Sequence, residues 1–221
     1  LADHECSTVE EMEERLERGM YILLRQGSAC HNLRTLLKGV TERNSRRCLL
    51  CSDDRQPKTI LKEGHLDDHL RICVEEGLDP VTAIQMATLN AAECFGLKDC
   101  GAIAPGYRAD IVLLDDLKNF HVEKVWIKGA LVAEKGKYIP QIEKYDISSV
   151  KGSVIVKDFS KEKFKMHLKK NTVNVIEILP GGVVTRKATA EVTLNEAGEF
   201  VYDPKVDLVK VAVVERHQGT G

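Results

Sequence analysis

The sequence predicts an α/β fold in its first hundred residues, followed by a change to mainly β texture. Three observations carry this. Short apolar runs that end on charged residues alternate with helical stretches through residues 1–100, the pattern of parallel strands joined by crossover helices. Near residue 101 the chain turns to short strands punctuated by glycine. A second boundary falls near Tyr145–Lys151, after which further strands follow. The expected organisation is an α/β segment over 1–100, a β segment over 101–147 and an α+β domain over 148–221.

In order, Asp3-His4-Glu5 lies at the end of a first strand. Ser7-Thr8-Val9-Glu10 reads as a capping box opening a charged amphipathic helix to about Arg18, with Gly19 as its stop. Met20 to Arg25 is a short buried strand, and Leu33, Leu36, Leu37 and Val40 mark a helix from Ala29 to about Val40. The run Arg47-Cys48-Leu49-Leu50-Cys51 is a buried strand that ends on Ser52-Asp53-Asp54-Arg55. In parallel α/β proteins, catalytic groups sit at the C-terminal ends of strands. Adjacent carboxylates there repel, and a metal ion, a substrate proton or Arg55 would relieve the repulsion.

Past Arg55, Pro57 starts a short segment. Glu63-Gly64-His65 leads into a helix from Leu66 to Glu76. Asp79-Pro80 opens an apolar, buried helix through Ala92. Strands are expected at Ala109–Leu114, Val122–Ile127, Leu131–Ala133 and Gly136–Ile139, then at Thr172–Ile178, Val183–Val192 and Leu208–Val214, with an amphipathic stretch at Lys161–Lys169. The polar, Gly-rich run Arg216–Gly221 closes the sequence.

Composition narrows the function. With 43% hydrophobic and 30% charged residues among 221, the chain has the make-up of a soluble globular protein. A formal net charge of -2 gives no electrostatic case for nucleic acid or an anionic membrane. No apolar run reaches the roughly 20 residues needed to span a bilayer. No secretory signal pattern opens the sequence, and the seven irregularly spaced cysteines suit reduced thiols and a cytoplasmic location. Cys48 and Cys51 form a CxxC, but without the second pair a structural zinc site needs.

His4 and Asp53 offer imidazole and carboxylate, the ligands a hydrolytic divalent metal prefers, from two separate strand ends. Such a metal lowers the pKa of bound water towards neutrality. The residues alone leave the ligand set open, because no HxH or further histidine cluster is present.

Several stretches resemble the bacterial and archaeal adenine deaminases of the amidohydrolase superfamily. These are Asp3-His4-Glu5-Cys6, Arg18–Ser28, Cys51-Ser52-Asp53-Asp54-Arg55 and Glu63-Gly64-His65-Leu66-Asp67. Met86–Ala92 and Gly101–Asp110 resemble the superfamily more generally, and the region after Lys151 resembles that family's C-terminal domain. The resemblance implies a TIM (β/α)8 barrel flanked by a β-sandwich, hydrolysing adenine to hypoxanthine and ammonia with a divalent metal: Mn²⁺ or Fe²⁺ first, Zn²⁺ as an option. By that resemblance, His4 and Asp53 are metal ligands, and Asp53 also shuttles a proton. Glu5 is a second catalytic candidate, Asp54 faces the purine, and Arg25, Arg55 and His65 are further substrate-binding candidates. A small-molecule purine is the expected partner, with a homo-oligomer in the complete enzyme.

A full barrel takes about 250 residues. At roughly 30 residues per βα unit, residues 1–100 supply strands six to eight, a partial barrel followed by part of the β-sandwich. The family's strand-one HxH, strand-four carboxylate and strand-five histidine are absent. The expectation is therefore a C-terminal portion truncated at both ends, which alone holds metal weakly and does not turn adenine over. The alternatives are another amidohydrolase acting on a cyclic amidine or amide, and a non-catalytic remnant that binds a partner chain.

Overall fold

A computed structural model describes residues 1–220. Two compact units are present: Leu1–Gln141 with Pro180–Val183, and Ile142–Leu179 with the residues from Val184 on.

The first unit is built on three parallel strands in the order β1 (Ala2–Asp3), β2 (Tyr21–Arg25), β3 (Cys48–Cys51). Asp3 pairs with Ile22, and Arg25 with Cys51, so β2 is paired on both sides. The crossovers carry α1 (Val9–Glu17) and α2 (Leu33–Leu37). Side chains alternate across a strand. Ile22 and Leu24 therefore enter the core with Met12, Leu33 and Leu36, while Arg25 belongs to the opposite face with Leu23. Both ends of α1 are explained locally. Thr8, not Ser7, is the N-cap, accepting from Glu11 N, and the Glu11 carboxylate reaches back to Ser7 N at 2.7 Å. The expected capping motif is thus displaced by one residue.

Helix α2 is shorter than Ala29–Val40. Residues 26–32 form a loop instead, in which Gly27 N donates to Cys30 O and Asn32 N to Arg25 O. After β3 come α3 (Pro57–Glu63), α4 (Leu66–Glu75), α5 (Pro80–Ala87) and α6 (Leu89–Cys94). The single helix expected from Asp79 to Ala92 is broken at Thr88, whose φ of -127° and ψ of -83° leave the helical region. Its hydroxyl donates to Ile84 O at 2.7 Å, the side-chain-to-backbone bond that bends helices. Asn90 in α6 is buried and donates to Ser45 O and Cys48 O, both at 2.8 Å, pinning the entry to β3.

The same unit continues as an antiparallel meander of β4 (Ile111–Leu114), β5 (Val122–Ile127), β6 (Ala130–Glu134) and β7 (Lys137–Tyr138). Its two tight turns, Lys128-Gly129 and Lys135-Gly136, have both central residues at positive φ, as a two-residue hairpin of matching twist requires. In the β4–β5 connection, Phe120 takes a φ of 55° and is buried in the core of the α/β segment.

The second unit pairs β8 (Thr172–Ile178) with β9 (Thr185–Glu191), and β10 (Thr193–Leu194) with β11 (Phe200–Val201), all antiparallel. Lys161–Phe164 is a short 3₁₀ turn. Leu208–Val214 forms no strand, contrary to expectation. Its alternating valines stay exposed, Val213 at 96%, so nothing is gained by adopting a pleated, half-buried surface. Of the run Arg216–Gly221, the last residue lies outside the described ones. No described helix is long and apolar enough to cross a membrane.

Candidate active site

The C-terminal ends of β1, β2 and β3 lie side by side in parallel register, so the residues that follow each strand converge. Glu5 comes from the end of β1, Arg25 from β2 and Asp53 from β3. Arg25 NH1 donates to Glu5 Oε2 at 3.1 Å and to Asp53 Oδ2 at 3.0 Å. Its Nε and NH2 both donate to Asn32 Oδ1, at 3.3 and 3.1 Å. The guanidinium side chain is 2% exposed, against 50% for Glu5 and 35% for Asp53. Burial disfavours the charge on Arg25. The hydrogen bond to Asp53 and the nearby Glu5 carboxylate outweigh that, and its pKa is raised. His4 Nε2 lies 3.2 Å from Glu5 Oε1. The chain His4–Glu5–Arg25–Asp53 therefore links four of the residues singled out from sequence.

Asp53 reaches Arg25 from an unusual backbone. Its φ is 43°, in the left-handed region that aspartate tolerates better than most residues. The next residue has a different hydrogen-bond partner. Asp54 Oδ2 accepts from Ala29 N at 2.7 Å, and its Oδ1 is buried without a protein partner. That oxygen rests on Gly27, where an added Cβ would stand 1.5 Å from it.

Two sequence candidates lie apart from this cluster. Arg55 donates from Nε to Gly64 O at 2.9 Å, from NH1 to Gln26 O at 3.3 Å and from NH2 to Asp68 Oδ2 at 2.7 Å. It is a buried tie between loops, and Arg25, not Arg55, is the cation against Asp53. His65 is exposed and precedes α4; its backbone N donates to Asp67 Oδ1.

Three residues at the site escaped sequence reasoning. Asn32 orients Arg25. Cys30 is buried, and burial pushes its thiol pKa up. His69 is fully buried, with Nε2 3.0 Å from Cys51 O and Nδ1 2.8 Å from His65 O. Burial pushes its pKa down, while the hydrogen bonds to the two carbonyls act in the opposite direction. A polar residue on the inner face of an amphipathic helix was the available signal for His69. Asn32 carried none, because it sat inside the expected helix.

Comparison with known proteins decides the family. The model of the Amidohydrolase family matches residues 8–132. The chain belongs to the amidohydrolase family. Among similar proteins, adenine deaminase 2 of Desulfotalea psychrophila is 67% identical over 219 residues. The adenine deaminase of Ligilactobacillus salivarius is 52% identical over 219 residues. Each match covers 99% of this chain, and the chain spans 38% of the length of these curated relatives. A solved beta-aspartyl dipeptidase from Fervidobacterium islandicum AW-1 aligns with a TM-score of 0.50 at 22% identity, covering 61% of this chain and 37% of that one. That likeness concerns the fold alone.

Membership of the amidohydrolase family implies a divalent metal. His4 and Asp53 have the donor chemistry for it, and both lie at the same sheet edge. Asp53 also comes together with Cys30 and Asp54, one ligand atom from each lying within 4.8 Å of the others. No such group among the described residues includes His4. His4 and Asp53 carry ligand-type side chains, but among the described residues no cluster brings the two together.

Proposed function

We propose that this chain is the part of an adenine deaminase that carries about strands six to eight of a (β/α)8 barrel, followed by β-sandwich and C-terminal segments. The complete protein hydrolyses adenine to hypoxanthine and ammonia. The observation that carries this reading is the convergence of Glu5 and Asp53 on Arg25 at the C-terminal strand ends, with His4 beside Glu5. The naming of both reported relatives as adenine deaminases supports the choice of substrate.

In the reaction, water oxygen bonds to C6 of adenine, the C6–N6 bond breaks, and the amino nitrogen leaves as ammonia. A bound metal, Mn²⁺ or Fe²⁺ by preference and Zn²⁺ as an option, would be held by His4 and Asp53 and would make that water a stronger acid. Asp53 takes the proton of the attacking water and returns it to the departing nitrogen, while Arg25 holds its Oδ2 in place. Glu5 Oε1 lies 3.2 Å from His4 Nε2, which places a carboxylate beside the imidazole as a ligand-orienting neighbour. The half-exposed Glu5 is also the second carboxylate able to exchange a proton with the purine ring. Asp54, which also holds Ala29 N, is the carboxylate assigned to face the purine.

The test is ammonia release from adenine by the full-length protein and by Asp53→Asn. Loss of Asp53 as proton carrier is expected to lower turnover by at least ~10²-fold. Near-normal turnover by Asp53→Asn removes Asp53 from the mechanism.

A further inference from the structure

We propose that Arg25 is a positioning residue, clamped by Asn32, that sets the separation and orientation of the Glu5 and Asp53 carboxylates without touching substrate. This rests on the deamination reading above. Sequence placed Arg25 among the substrate-binding candidates. Its burial points to a different role, because a guanidinium whose side chain is 2% exposed offers no surface to an entering purine.

The geometry is that of a fork between two charged prongs. One nitrogen, NH1, serves Glu5 Oε2 and Asp53 Oδ2 together. The two carboxylates come from β1 and β3, which are not neighbours in the sheet, so no backbone ladder joins them directly. Held at one nitrogen, both lie close enough to repel each other, and an intervening cation removes that repulsion. The remaining side of the guanidinium is fixed by Asn32 Oδ1, which accepts from Nε and NH2 together. Asn32 is itself buried, and its Nδ2 donates to Gly181 O at 3.0 Å within the same compact unit. A planar fork with fixed donors orients its partners in a way a lysine ammonium does not. A misplacement of reacting groups by about 1 Å costs on the order of 10²-fold in rate, so a residue of this kind acts on turnover and not on substrate affinity.

The experiment measures kcat and KM for adenine in the full-length protein, with far-ultraviolet circular dichroism to follow folding. Arg25→Met should lower kcat by about 10²-fold or more while KM stays within about 3-fold, the pattern of an interaction felt mainly in the transition state. Arg25→Lys should recover only part of that loss, and added guanidinium ion should partly rescue Arg25→Ala. A KM raised more than about 10-fold with kcat retained identifies Arg25 as a substrate contact and overturns the proposal. Unchanged kinetics overturn it as well. Should the Arg25 variants fold poorly, Asn32 decides. Asn32→Leu, which removes the acceptor, is expected to lower kcat with KM kept, and Asn32→Asp, which restores an acceptor oxygen, to recover most of it. Equal kinetics for those two variants count against the clamp. Absence of ammonia release by the wild-type protein overturns the deamination reading and this one together. Normal wild-type turnover with insensitive Arg25 and Asn32 variants overturns this one alone.

Discussion

At the scale of single residues, Gly27 shows how tightly the strand-end loops are fitted. A methyl group there would stand 1.5 Å from Asp54 Oδ1 and 2.6 Å from its carboxyl carbon. Gly→Ala often stabilises, because it narrows the unfolded ensemble. Here it must instead displace Asp54 from Ala29 N. Gly27→Ala is therefore expected to lower stability by about 1–3 kcal/mol, through overpacking and a broken hydrogen bond. Thermal melting checks this, and a higher melting temperature would show that the loop has room. The contrast between Asp53 and Asp54 explains what was legible. An aspartate at the end of an apolar run announces a strand-end site. That Asp53 bonds to Arg25 and Asp54 to Ala29 N follows a backbone turn at φ 43°, and sequence spacing does not encode that. Arg25 as the partner of both carboxylates was hidden for a related reason: the pairing joins residues 20 and 28 positions apart.

Among the elements, the three parallel strands were readable because each is a short apolar run bounded by charge and separated by helical periodicity. The meander was readable from its glycine turns. The failures fall where tertiary contacts override local pattern: the late start of α2, the break at Thr88 and the missing strand at Leu208–Val214. The β4–β5 connection adds a pH-sensitive element. Asp116 accepts from the backbone N–H groups of Asn119 and Lys118, which hold its pKa at about 2, below the usual 3.8. A carboxylate with a lowered folded-state pKa stabilises when ionised. Its contribution is therefore complete above about pH 4 and is lost as pH falls towards 2. Asp116→Asn is expected to melt below the wild type at pH 6, with the gap closing between pH 4 and 2. A gap independent of pH would show that the turn does not depend on the charge.

For the whole molecule, the thiols report on the core. Burial pushes Cys48 and Cys73 up to about 12, and burial with a hydrogen bond to Asp3 does the same for Cys6. The thiolate is the reactive form, so alkylation of the native protein at pH 8 should spare these three and modify them only on unfolding. Mass spectrometry of the labelled peptides checks this; early labelling at Cys48 would mean that β3 opens locally. The sheet also places Arg25 on the strand that β1 and β3 share. One side chain therefore ties together two strand ends that do not pair with each other, and a substitution at position 25 is felt on both flanks of the sheet at once.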